Sequence, residues 1–107
     1  MNKVALIGNL VKDVEIRYTK DGMPVANFTI AVNKNEDITN FIPCKTFGNA
    51  AAKMDMYIGK GNKVGIIGEL SSGKYEREGR TIYTLEVVTE RVEYLTFKDS
   101  KENFERL

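Results

Sequence analysis

Between residues 40 and 61 the sequence changes its period once, and that change narrows the possible folds more than any other feature. Residues 40–48 alternate as a strand does, because successive side chains on an extended chain point to opposite faces. One face carries Phe41, Pro43, Lys45 and Phe47; the other carries Ile42, Cys44 and Thr46. From residue 49 to 58 the period is helical, with Ala50, Met54, Tyr57 and Ile58 near one face. Asn49 is placed to cap this helix, and Gly59 to end it in the left-handed conformation. About ten residues do not hold a helix in water unaided, so it needs a sheet beneath it.

The rest of the chain reads as strands. Residues 3–10 alternate, with Gly8 as an expected bend or bulge. Residues 14–18 continue them, as one long strand that curls. Thr19-Lys20-Asp21-Gly22 is a turn. The next strand follows Met23-Pro24 and runs to Asn33, with Ala26, Phe28, Ile30 and Val32 inward and Asn27, Thr29 and Ala31 outward. After a polar loop and the segment above, residues 62–70 form a strand with Gly65 and Gly68 at expected points of tight curvature. Residues 71–80 make a long hairpin arm, and the last strand runs from Thr81 to Leu95. Three strands, a helix and two more strands, all-β but for that helix, are the plan of a five-stranded OB-fold barrel. Residues 1–95 are expected to form that domain and 96–107 a short charged tail, for which disorder and a surface helix both stand.

A chain of 107 residues suits one domain with a core of its own. One cysteine allows no internal disulfide, and no apolar run nears the roughly 20 residues of a membrane span. A reducing cytoplasm is the expected setting. Without histidine the commonest general base and metal ligand are missing, and no spacing suggests zinc or another cofactor. No glycine-rich phosphate loop opens a helix, so an enzyme is not expected. Sixteen Lys and Arg against 15 Asp and Glu leave a net charge of +1, too little to bind a duplex by charge alone.

The face with two rings around a lysine suits something flat and anionic, and unpaired nucleobases on their backbone fit that description. Phe41, Phe47 and Tyr75 are the candidate stacking platforms. Lys12, Arg17, Lys45, Lys60, Lys74, Arg77 and Arg80 are candidates to line the backbone path. A core role for Phe47 and a barrel-end plug for Phe41 stand beside that reading. Tyr18 is divided between packing and binding, whereas Tyr57, Tyr83 and Tyr94 read as packing residues. Cys44 reads as a small core hydrophobe.

The opening Asn2-Lys3-Val4-Ala5-Leu6-Ile7-Gly8-Asn9-Leu10-Val11-Lys12-Asp13-Val14-Glu15-Ile16-Arg17-Tyr18 resembles that of bacterial and bacteriophage-type single-stranded DNA-binding proteins. So do Val25-Ala26-Asn27-Phe28-Thr29-Ile30-Ala31, Phe41 with Phe47-Gly48, Tyr57-Ile58-Gly59-Lys60-Gly61, Gly68-Glu69-Leu70, Lys74-Tyr75 and Tyr83-Thr84-Leu85-Glu86-Val87. The resemblance implies an OB-fold that binds single-stranded DNA without sequence preference, as a homotetramer, in replication, recombination and repair. It places stacking on Phe41, Phe47 and Tyr75 and basic contacts on Lys3, Arg17, Lys45, Lys60 and Lys74. It implies pairing of first strands across a two-fold axis. The chain departs from the family in three ways: it has no aromatic in Asn35-Glu36-Asp37, no tryptophan, and no acidic tip after Asn103-Phe104-Glu105-Arg106-Leu107. Recruitment of partner proteins through such a tip is therefore not expected. A protein-interaction module of a primosome-like assembly and an RNA binder are the other readings.

Overall fold

The computed structural model describes residues 1–97. Six strands and one helix follow in the order β1 (Val4–Leu10), β2 (Glu15–Tyr18), β3 (Pro24–Asn33), β4 (Thr39–Phe47), α1 (Asn49–Tyr57), β5 (Lys63–Arg77) and β6 (Arg80–Tyr94). The tail expectation falls largely on residues 98–107, outside the described residues.

β1 and β2 are the two halves of the curled first strand. Both pair antiparallel with β3, through Leu10 opposite Ile30 and Glu15 opposite Asn27. Residues 11–14 thus span only Phe28 and Thr29 on the partner, so the strand bulges and turns. Within that bulge Val11 still donates its amide to the Thr29 carbonyl at 3.1 Å, and Val14 is buried. Gly8 carries no bulge, because β1 pairs in unbroken register with β5 from Val4 to Asn9. Gly8 is there for closeness: a Cβ would stand 2.6 Å from the Ala31 carbonyl oxygen on β3.

The pairings close a ring, β1-β5-β6-β4-β3 and back to β1, with β2 on the outer edge of β3. The OB-fold expected from the element order is this arrangement. Two seams of the ring are short. β1 meets β3 only at Asn9 and Leu10, and β4 meets β6 in parallel only at Cys44–Val87 and Lys45–Val88. The Thr46 hydroxyl extends the second seam by donating to the Thr89 carbonyl at 3.2 Å. The β5–β6 ladder shifts register at Ile67/Gly68, where a Cβ on Gly68 would lie 2.2 Å from the Val88 carbonyl oxygen.

The core fills the ring with the alternating inward set. Ala26, Phe28 and Ile30 of β3, Cys44 of β4, Val64 and Ile66 of β5 and Val87 of β6 are buried, with Ala51, Met54 and Ile58 from the helical segment. Each large apolar side chain so buried stabilises by about 1.5–3 kcal/mol. Val32 is only partly buried, near the open end of β3. The helix packs on β3, β4 and β2, yet its inward face is Ala51, Met54 and Ile58 rather than Ala50 and Tyr57, which are exposed. Neither expected cap forms. Gly48 holds the N-cap position at φ 76°, and no side chain bonds there. Its positive φ lets the chain leave the sheet sharply while the Gly48 amide donates to the Pro24 carbonyl at 3.0 Å. The helix ends in extended Ile58, and the left-handed glycine is Gly61 instead of Gly59. The Gly59 amide is occupied by the Asn62 side chain at 2.8 Å, which turns the chain into β5.

β5 and β6 run past the ring as a two-stranded arm. Glu78 and Gly79 connect them, both with positive φ, as the tightest hairpin turns require. No helix among the described residues is long and apolar enough to cross a membrane.

Candidate nucleic-acid interface

Register alone assembles the outer face of β2, β3 and β4. Paired residues in neighbouring strands point to the same side. Phe47 stands opposite Val25, which stands opposite Arg17. Lys45 stands opposite Asn27, which stands opposite Glu15. Pro43 faces Thr29 and Phe41 faces Ala31. Both rings are accessible, Phe41 by 63% and Phe47 by 43%, so the core and plug alternatives do not hold for this chain. The rings are six positions apart on β4, or roughly 20 Å of strand.

The same face continues onto the arm. Lys45 is level with Val88 on β6, and Glu86, two residues earlier, shares the side of Val88. Following the ladder outward, Glu86 pairs with Ser71, Thr84 with Gly73, Ile82 with Tyr75 and Arg80 with Arg77. Tyr75, 48% exposed, therefore shares its face with Lys45, together with Arg77 and Arg80. Lys74 does not: alternation puts it on the opposite face, beside Tyr83. Tyr83 is 77% exposed, contrary to its reading as a packing residue. Tyr94 does pack, between Tyr57 and Phe97, with ring centroids 5.7 and 6.0 Å away. Tyr57 nevertheless keeps much of its ring in solvent, and Tyr18 is exposed.

The cations differ in surroundings. Lys12 borders a shallow concavity in the floor with Glu15, Asn27, Thr29, Pro43 and Glu86. Lys60 is brought close to that rim, because its amide donates to the Asp13 carboxylate at 2.8 Å. Arg17 donates to Glu15, with Nε at 2.7 Å. Lys3 immediately precedes β1, with its ammonium 3.3 Å from Glu90 of β6. Lys45 forms an ion pair with Glu86 at 2.9 Å. Sequence reading missed Glu86. Its outward position was legible from alternation, but its meeting with Lys45 depends on the short parallel seam. Beneath the pair Cys44 is buried, and burial, then the nearby Glu86 charge, pushes its thiol up to about 12. It is a protonated core group.

An exposed floor with separated rings and cations between and beside them can hold a flexible polyanion with flat substituents. Comparison with known proteins agrees in kind. The chain is 39% identical over 110 residues to Single-stranded DNA-binding protein 1 of Staphylococcus aureus (strain COL), covering 96% of this chain and 66% of that one. It is 46% identical over 105 residues to the Single-stranded DNA-binding protein of Onion yellows phytoplasma (strain OY-M), covering 92% of this chain and 98% of that one. The Staphylococcus epidermidis (strain ATCC 12228 / FDA PCI 1200) Single-stranded DNA-binding protein is 33% identical over 105 residues, covering 92% of this chain and 79% of that one. The chain thus spans about two thirds of the Staphylococcus aureus relative, 66% of its length. The sequence model of the Single-strand binding protein family matches residues 1–95, and the chain belongs to that family.

Proposed function

We propose that this protein binds single-stranded DNA without sequence preference and protects it during replication, recombination and repair, without catalysis. The observation that carries this is the shared outer face: exposed Phe41 and Phe47 on either side of Lys45, with Arg17 level with Phe47 and Tyr75 on the continuing arm. Bases stack on the rings, and Lys12, Arg17, Lys60, Arg77 and Arg80 neutralise the backbone. Residues 1–95 are the binding unit, and it works as a homotetramer in the cytoplasm. The unpaired edge of β1 supports such assembly, since only Asn9 and Leu10 of that edge are taken by β3. Lys3, beside β6, and Lys74, on the opposite face of the arm, extend the basic path beyond the floor.

The test is a titration of labelled oligo-dT, oligo-rU and a duplex at several salt concentrations. Tight binding of oligo-dT is expected, with a log–log salt slope near −0.7 per phosphate contact and much weaker binding of duplex. Equal affinity for duplex and oligo-dT would leave only a charge-driven binder. Preference for oligo-rU would move the reading to RNA.

A further inference from the structure

We propose that the Lys45–Glu86 ion pair contacts base edges and not phosphates, and that it does so for all four bases. This rests on the single-strand reading above and assigns Lys45 a different task within it.

The pair differs from the other ion pairs among the described residues. Its side chains are 28% and 30% exposed, whereas Lys3–Glu90, Arg17–Glu15 and Arg91–Glu93 range from 48% to 74%. It lies in the floor, at the concavity that Glu86 lines with Asn27, Thr29 and Pro43. Phe47 is two residues from Lys45 on the same side of β4, and Phe41 is four, so the pair sits about 7 Å along the strand from one ring and about 13 Å from the other. A base lying on Phe47 brings its edge over the pair.

A phosphate is poorly served there. To reach the Lys45 ammonium it would displace Glu86 or sit against it, and a half-buried carboxylate beside a phosphate repels it with little screening. Cations with no carboxylate in ion-pair range among the described residues, such as Lys12, Arg77 and Arg80, are better placed for that work. A base edge is well served. The pair offers a donor (the ammonium) and an acceptor (the carboxylate) 2.9 Å apart. Every Watson–Crick edge has the complement side by side: thymine N3–H with O4, guanine N1–H with O6, adenine N6–H with N1, cytosine N4–H with N3. Both groups are on side chains long enough to exchange which base atom they meet. The contact would thus add hydrogen bonding without selecting sequence.

The test compares the unaltered protein with the doubly substituted Lys45→Met, Glu86→Met, which keeps the net charge. Two probes are used, oligo-dT and an abasic oligonucleotide of equal length, at several salt concentrations. The double variant is expected to bind oligo-dT roughly a hundredfold more weakly, because each of the two hydrogen bonds lost involves a charged group of the protein. Its affinity for the abasic strand and its salt slope should stay unchanged. Equal losses on both probes, with a slope shallower by about 0.7, would make Lys45 a phosphate contact and overturn the proposal. An unchanged affinity for oligo-dT would do the same. A measurement on the unaltered protein guards against a folding defect: an oligonucleotide of N3-methylthymidine keeps the stacking face but lacks the edge donor, and should bind several-fold more weakly than oligo-dT. Equal binding overturns the edge contact. Failure of the unaltered protein to bind any single strand would bring down the parent reading as well, and is told apart by that.

Discussion

Removing a ring tests the face one residue at a time. Phe41→Ala, Phe47→Ala and Tyr75→Ala should each weaken oligo-dT binding by about 1–3 kcal/mol, the usual worth of one stacked base, or roughly 5- to 150-fold. All three rings are between 43% and 63% exposed, so the same changes should barely move the melting temperature. Large destabilisation with unchanged binding would return them to packing. At this scale the sequence was informative where alternation decides: Phe41, Lys45 and Phe47 point outward and Cys44 and Thr46 inward, as their period says. It was silent on pairing. Nothing in the order of residues says that Glu86 meets Lys45, whereas Arg17 and Glu15, two apart on one strand, are neighbours by alternation alone.

Elements fail at their closest approaches. Gly68→Ala puts a Cβ 2.2 Å from a backbone oxygen of β6 at the register shift. Neither strand can move away without breaking the ladder, so a loss of roughly 1–3 kcal/mol is expected. Gly8→Ala meets the Ala31 carbonyl oxygen at the β1–β3 seam and should cost a similar amount. Thermal unfolding followed by circular dichroism checks both, at about 4–8 °C per kcal/mol for a domain near this size. Gly65→Ala is the control, because the nearest atoms to its Cβ lie at 3.7 Å or beyond. The periodicity placed every strand, yet the helix turned its inward face by one residue and its glycine stop moved by two. Caps are settled by which partner is near. The Gly48 amide found the Pro24 carbonyl and the Gly59 amide found the Asn62 side chain, and neither partner is evident from the local sequence.

On the scale of the molecule, the outer side of β1 and β5 remains open. Ala5, Ile7, Ile67 and Leu95 line an apolar groove of about 500 Å³, and Ile7 is 62% exposed. Apolar area of this kind is usually covered. The proposed homotetramer predicts a light-scattering mass near four chains of 12.1 kDa, about 48 kDa. Ile7→Glu, which places a charge in that groove, should lower the mass. A 12 kDa particle for the unaltered protein would rule out the homotetramer.

By itself the sequence determined the element types, the inward and outward sets of the strands, the five-stranded plan with one helix, and the side of β4 that carries Phe41, Lys45 and Phe47. These follow from local period and composition, which act within a few residues. Only the tertiary structure decided which outward residues share one face and which carboxylate holds which cation. It joined Tyr75 to the floor and sent Lys74 to the other side. That information lies in strand register across the ring, set by backbone hydrogen bonds between residues as far apart as Lys45 and Val88, and no local pattern encodes it.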